Sequence, residues 1–269
     1  MSHTEAVQEF ITAINYDRFT QIELAHAPHA RFRSFRGPNL QSSAAIEEWH
    51  RVFLRNYADC TYQDTEFVED GDTVAAIATI EAKGYDFRRF HQRVLDVFEM
   101  TEDSLIAERR LYAMLRDISM EKQISQAHDY ARETKGGTAS KTREVVTNFY
   151  DALFAGDDDA AKELIAEKPA IIDSIYGIAA GADAILEVFK GTPSPAFGIS
   201  RVTNIIAGDN AAVVEIAVDP SRPRTAHVVR LVEGQVSVVE VYWMLREIGF
   251  NPFEEYRQDR HLRRAILPA

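Results

Sequence analysis

Cysteine is nearly absent from this chain of 269 residues: Cys60 stands alone. One thiol excludes an intrachain disulfide and a cysteine-based zinc site. Long apolar runs are missing too. No stretch approaches the roughly 18 residues that cross a bilayer as a helix, and Met1-Ser2-His3-Thr4-Glu5 lacks a basic, then apolar leader. Positive charge is scarce relative to negative. Thirty Lys and Arg face 42 Asp and Glu, a formal net charge of −12. Such a surface repels phosphate backbones, so neither nucleic acid nor membrane is expected as a partner, and a cytoplasmic protein is the simplest expectation. No His-x-x-x-His spacing announces a metal, and Gly136-Gly137 lacks the strand and helix of a phosphate loop. No cofactor and no metal are expected.

What the chain does have is internal similarity. Residues 111–118 read Leu-Tyr-Ala-Met-Leu-Arg-Asp-Ile, and residues 241–248 read Val-Tyr-Trp-Met-Leu-Arg-Glu-Ile. Each segment follows a β-branched run broken by a turn, Glu102-Asp103-Ser104 or Glu233-Gly234-Gln235. Other landmarks recur in the same order. Phe10 to Ile14 parallels Phe149 to Leu153. Gly71-Asp72 opens a strand at Val74–Ile80, and Gly208-Asp209 opens one at Ala211–Val218. Each copy reads as three helices followed by antiparallel strands, an α+β architecture. The expected boundaries are a first domain at 1–117, a helical and flexible linker at 118–142, a second domain at 143–248 and a tail at 249–269. Ser119 to Glu133 reads as a charged helix within that linker. Ser42-Ser43 reads as a helix start with a cap rather than a nucleophile.

Ala6-Val7-Gln8-Glu9-Phe10 and Val94-Leu95-Asp96-Val97-Phe98 resemble the first helix and mid-sheet strand of ketosteroid isomerases. Val241-Tyr242-Trp243 resembles their last strand. Leu115-Arg116-Asp117 and Leu245-Arg246-Glu247 resemble a strand end in limonene epoxide hydrolase-like enzymes. The chain thus resembles the nuclear transport factor 2-like superfamily, SnoaL-like cyclases included. The resemblance implies two tandem cystatin-like cone domains, each with helices packed on a curved antiparallel sheet. It implies a small apolar molecule as partner, and an internal pseudo-dimer, with a homo-oligomer left open.

The isomerase site carries over incompletely. Asp96 matches a protonated acid that donates a hydrogen bond to a developing enolate. The tyrosine position is Phe10, and the base position falls near Ser34. In the second copy Phe149 takes the tyrosine position, Asp173 falls near the base, and His227 corresponds to Asp96. The epoxide hydrolase aspartate is replaced by Leu111 and Val241. The candidate catalytic residues are therefore Asp96, His227 and Asp173. An inward Asp96, between Val94 and Phe98, would be desolvated and protonated, or else paired with Arg109, Arg93 or a backbone amide. His227 has the chemistry of a general acid or base, with Asp173 as its orienting partner. Trp243, Phe10, Phe149, Phe98 and Leu111 are the candidate ligand contacts. Two functions stay open: a cofactor-independent isomerase, cyclase or dehydratase, and a non-catalytic binding or assembly module.

Overall fold

A computed structural model describes residues 1–35, 37, 39–83, 89–114, 137–173, 177–191, 201–217 and 225–244. Leu115-Arg116-Asp117, Ser119 to Glu133, Leu245-Arg246-Glu247 and the 249–269 tail lie outside the described residues. The chain divides into two compact units, Met1–Arg116 together with Met244–Ala269, and Asp117–Trp243.

In unit one, helix α1 (His3–Asn15) starts at a capping box in which Ser2 and Glu5 exchange side-chain and backbone hydrogen bonds. Val7, Phe10, Ile11 and Ile14 recur at helical spacing and are buried. Helix α2 (Phe19–Leu24) leads into strand β1 (His26–Ser34), then β2 (Leu40–Gln41) and helix α3 (Ser43–Asn56). The Ser42 side chain accepts the Ala45 amide, as a helix cap. Four strands follow: β3 (Ala58–Asp70), β4 (Thr73–Lys83), β5 (Arg89–Met100) and β6 (Ile106–Ala113). They pair antiparallel in chain order, and β1 adds on parallel to β6. The register of β3 on β4 shifts twice, beside Asp59 and Asp64, both at positive φ. Bulges of this kind bend a strand and curve its sheet. The core lies between the helices and one sheet face, where Val94, Phe98, Leu111 and Ala113 meet Phe10, Phe32 and Ile46.

Unit two repeats this order. Helix α4 (Ala139–Ala155) is capped by Thr138 and ends at Gly156, whose φ of 72° suits a residue without Cβ. Then come α5 (Asp158–Glu163), β7 (Ile165–Asp173), β8 (Gly177–Ala180), α6 (Ala182–Gly191), β9 (Arg201–Ala207), β10 (Ala211–Ala217), β11 (Thr225–Val232) and β12 (Gln235–Trp243). Strands β9 to β12 pair antiparallel in order, and β7 lies parallel to β12. The turn between β11 and β12 uses Glu233 and Gly234, both at positive φ, as a two-residue hairpin demands.

Two expectations need correction. The helices are not three in a row: β1 and β2, and β7 and β8, come before the third helix of each unit. The sequence hides β1 and β7 behind Pro28 and Pro169, which cannot donate to a ladder. Both prolines sit where the register shifts, between His26 and Arg31 and between the partners of Val236 and Val238. The irregular pairing there tolerates the missing N–H. The second unit's first helix also begins at Ala139, inside the stretch expected to be linker.

Candidate functional site

On the helix-facing side of the unit-one sheet sits a buried ion pair. Asp96 on β5 is 0% exposed and Arg109 on β6 is 1% exposed. The Arg109 Nε lies 2.9 Å from both Asp96 oxygens, and Nη2 donates to Oδ2 at 2.6 Å. Nη2 also donates to the Tyr62 hydroxyl at 2.9 Å, and that hydroxyl donates to Asp96 Oδ2 at 3.2 Å. Nη1 lies 2.9 Å from His50 Nε2. His50 Nδ1 is 2.8 Å from the Ile46 carbonyl, which only accepts. The proton is therefore on Nδ1, and Nε2 accepts from the guanidinium. The rings of Phe10, Phe32 and Phe98 lie 4.9, 4.6 and 5.7 Å from the Arg109 Cζ, within cation–π range.

The electrostatics follow from burial and this pairing. Burial, with Arg109 adding to it, holds His50 well below its usual range, so the imidazole is neutral. Burial pushes the Tyr62 hydroxyl well above 10. Burial also raises the Asp96 carboxyl, against the opposing pull of Arg109 and of the hydrogen bonds from Arg109 and Tyr62. Burial disfavours the Arg109 charge, but Asp96 and Tyr62 outweigh it and hold the guanidinium above its ordinary value. A neutral Asp96 would leave that cation buried without a counter-charge, so the pair is ionised. Asp96 is thus not the protonated donor that the resemblance implies. Its oxygens are committed to Arg109 and Tyr62, one of the alternatives open in the sequence.

Unit two has no such pair on its helix-facing side among the described residues. In register, Val214, His227 and Val241 stand side by side on β10, β11 and β12, and Val241 pairs onward with Asp173 on β7. In unit one Ala76, Asp96, Leu111 and Ser34 stand in the same order. His227 thus takes the place of Asp96, Asp173 that of Ser34, and Val239 that of Arg109. His227 is 0% exposed. Its Nδ1 lies 2.6 Å from the Tyr150 hydroxyl. Its Nε2 is buried and has no hydrogen-bond partner among the described residues. Burial lowers its pKa to about 3, so the imidazole is neutral across the physiological range. Burial raises the Tyr150 hydroxyl well above 10.

Asp173 is buried near the end of β7, and its Oδ1 accepts from Trp243 Nε1 at 3.3 Å. Asp173 and His227 flank Val241 two strand spacings apart, roughly 9–10 Å between Cα atoms. The two share a face, but Tyr150, not Asp173, is the group bonded to His227 Nδ1. On the opposite face of this sheet, Glu240 accepts from Arg230 Nε at 3.0 Å and from Tyr242 at 2.8 Å.

The remaining candidate residues are buried. Phe10, Phe98 and Leu111 are in the unit-one core, Phe149 packs edge-on to Tyr150, and Trp243 is 1% exposed. Phe10 also borders a cavity of about 470 Å³ between α1, α2 and the β5–β6 turn, with Ala6, Leu24 and Leu105. Among the described residues, no group of three or more His, Cys, Asp and Glu is gathered to hold a metal. The sequence reading missed Tyr62, His50 and Tyr150 as parts of these networks. For Tyr150 a signal existed. Thr142, Val145, Val146, Phe149 and Tyr150 form one buried stripe on α4, and a tyrosine on such a stripe needs a partner for its hydroxyl.

Residues 7–109 match the family model of the SnoaL-like domain. No curated protein matches the chain. Among solved structures, the epoxide hydrolase/cyclase-like enzyme SalBIII of pyran ring formation in the polyether salinomycin is 19% identical. It aligns over 41% of this chain and 89% of its own, with a TM-score of 0.38. A putative polyketide cyclase from Xanthomonas campestris pv. campestris is 14% identical over 40% of this chain and 87% of its own, at a TM-score of 0.39. A hypothetical protein of ketosteroid isomerase-like fold from Catenulispora acidiphila, in complex with trimethylamine, is 14% identical over 40% and 84%, at 0.38.

Proposed function

We propose that this chain, whose residues 7–109 match the family model of the SnoaL-like domain, binds a small, largely apolar molecule in unit two. The observation that carries the reading is the buried His227 Nε2 without a hydrogen-bond partner among the described residues. An unmet polar atom in an apolar interior costs about 1–3 kcal/mol, which a ligand group recovers. Val214 and Val241 beside the imidazole supply apolar contact. Ligand entry displaces a side chain, and Phe189, half-buried on α6 with its ring 5.8 Å from His227, is placed to give way. At the centre of the unit-one sheet Asp96, Arg109, Tyr62 and His50 satisfy one another; the unmet nitrogen of that unit, His26 Nε2, belongs to the first residue of β1.

The chemistry supported best is cofactor-independent proton transfer on the bound molecule: isomerisation, cyclisation or dehydration. Asp173 is the proton acceptor, and His227 holds the substrate rather than titrating, since a pKa of about 3 makes it a poor base near neutrality. The second reading is binding without turnover. The Trp243 hydrogen bond to Asp173 Oδ1 favours it, because it occupies the base.

Mass spectrometry of the natively purified chain tests the binding. A retained small molecule in the wild type, absent from His227→Leu, is expected. No retained mass, or equal retention in both, contradicts the reading. Deuterium uptake from D2O into that molecule, lost in Asp173→Asn, identifies turnover; retention without uptake identifies the second reading.

A further inference from the structure

The hydrogen-bond count around His227 restricts what unit two accepts. The 2.6 Å contact between Tyr150 and His227 Nδ1 can be made in two ways. If the hydroxyl donates to Nδ1, the ring proton is on Nε2, and one donor is left without a partner. If Nδ1–H donates to the hydroxyl oxygen, the Nε2 lone pair and the hydroxyl hydrogen both go unmet. Among the described residues Tyr150 has no other hydrogen bond that would take that hydrogen. Each unmet buried group is costly, so the first arrangement is the more stable. Packing holds Tyr150 in place for it: the residue is 1% exposed, and its ring lies against Phe149 and Phe189.

We propose that Tyr150 is a positioning residue that fixes the His227 proton on Nε2, so that unit two selects a neutral molecule presenting a ketone or ester carbonyl to that N–H. This deepens the proposed binding site and rests on it. A hydrocarbon leaves the N–H unmet. A carboxylate brings a charge into a buried site where the facing imidazole is neutral. A hydrogen bond of ordinary strength corresponds to about a tenfold difference in affinity.

Two measurements on the full chain test this. The first is the nitrogen spectrum of 15N-histidine-labelled protein, with His227 assigned from His227→Leu. Proton on Nε2 is the expected result, and proton on Nδ1 overturns the proposal without any ligand. The second compares 2-acetylnaphthalene with 2-isopropenylnaphthalene and 2-naphthoate. The ketone is expected to bind about tenfold more tightly than either, with the preference lost in Tyr150→Phe. Equal binding of ketone and hydrocarbon, or tighter binding of naphthoate, overturns the selectivity and leaves the binding site standing. Binding of none of the three overturns the site itself, and the carbonyl preference with it.

Discussion

The two units carry the same order of elements and the same strand register, and each buries one imidazole nitrogen without a partner among the described residues, His26 Nε2 and His227 Nε2, yet the polar groups at the centres of their sheets differ. Unit one encloses a full charge pair, Asp96 with Arg109, wrapped by Tyr62, His50 and three phenylalanine rings. Unit two encloses a neutral pair, Tyr150 with His227, and leaves one nitrogen without a partner among the described residues. A register position that holds a carboxylate in one unit and an imidazole in the other shows how little the fold dictates the chemistry. What matters is the neighbour. Arg109 makes Asp96 part of the core. Val239, in the matching place, gives His227 no charge to neutralise and no bond for its second nitrogen.

The contrast can be broken experimentally. Trp49 is in unit one and Trp243 in unit two, the only two tryptophans of the chain. Removing either by substitution with Phe lets fluorescence follow the other unit in urea. The largest effect is expected for Arg109→Met, which strands the Asp96 charge. It should destabilise unit one by about 3–5 kcal/mol, while Asp96→Leu combined with Arg109→Met costs far less than the sum of the single changes. A loss below about 1 kcal/mol for the single variant would mean that the pair is not ionised and buried as described.

Acid comes next. His26 is held at about 4 and His227 at about 3, both by burial. In the unfolded chain each takes a proton near pH 6.5, so below that pH the unfolded state binds more protons than the folded one. Stability is therefore present above pH 6.5 and is lost as pH falls, for His26 down to about 4 and for His227 down to about 3. Between about pH 6.5 and about pH 5 each should cost its unit about 2 kcal/mol. Denaturation midpoints across that range check it, and His227→Leu should flatten the unit-two portion alone.

Smaller effects sharpen the comparison. Thr138→Ala removes the cap of α4 and should cost unit two about 1 kcal/mol, read from its midpoint. Smallest of all is Tyr150→Phe with His227→Leu. It deletes both polar partners and the unmet nitrogen together, and unit-two stability should stay within about 1 kcal/mol of wild type. The equivalent deletion in unit one has no such immunity, because His50 and Tyr62 would lose Arg109.

Much of this molecule is legible in its sequence. The turns at Gly71-Asp72 and Gly208-Asp209, the β-branched runs after them and the apolar stripes of α1 and α4 all mark real elements. The resemblance to ketosteroid isomerases sets His227 opposite Asp96 and puts Ser34 and Asp173 near one position, and the strand register has the same correspondence. Strands β1 and β7 were not legible, since Pro28 and Pro169 mask them and the exposed Arg31, Glu167 and Lys168 interrupt their apolar pattern. The partners of the polar core were hidden for a different reason. Tyr62 and His50 are brought to Arg109 by tertiary packing, across 47 and 59 residues of chain, and no local period encodes that.

The most direct trial of the account is to titrate 2-acetylnaphthalene into 15N-histidine-labelled protein and watch His26, His50 and His227 together. A ligand seated beside His227 in unit two requires the His227 ring nitrogens to shift while those of His50 stay still. Movement of His50 with an unchanged His227 would place the binding centre in the wrong half of the chain and contradict the account.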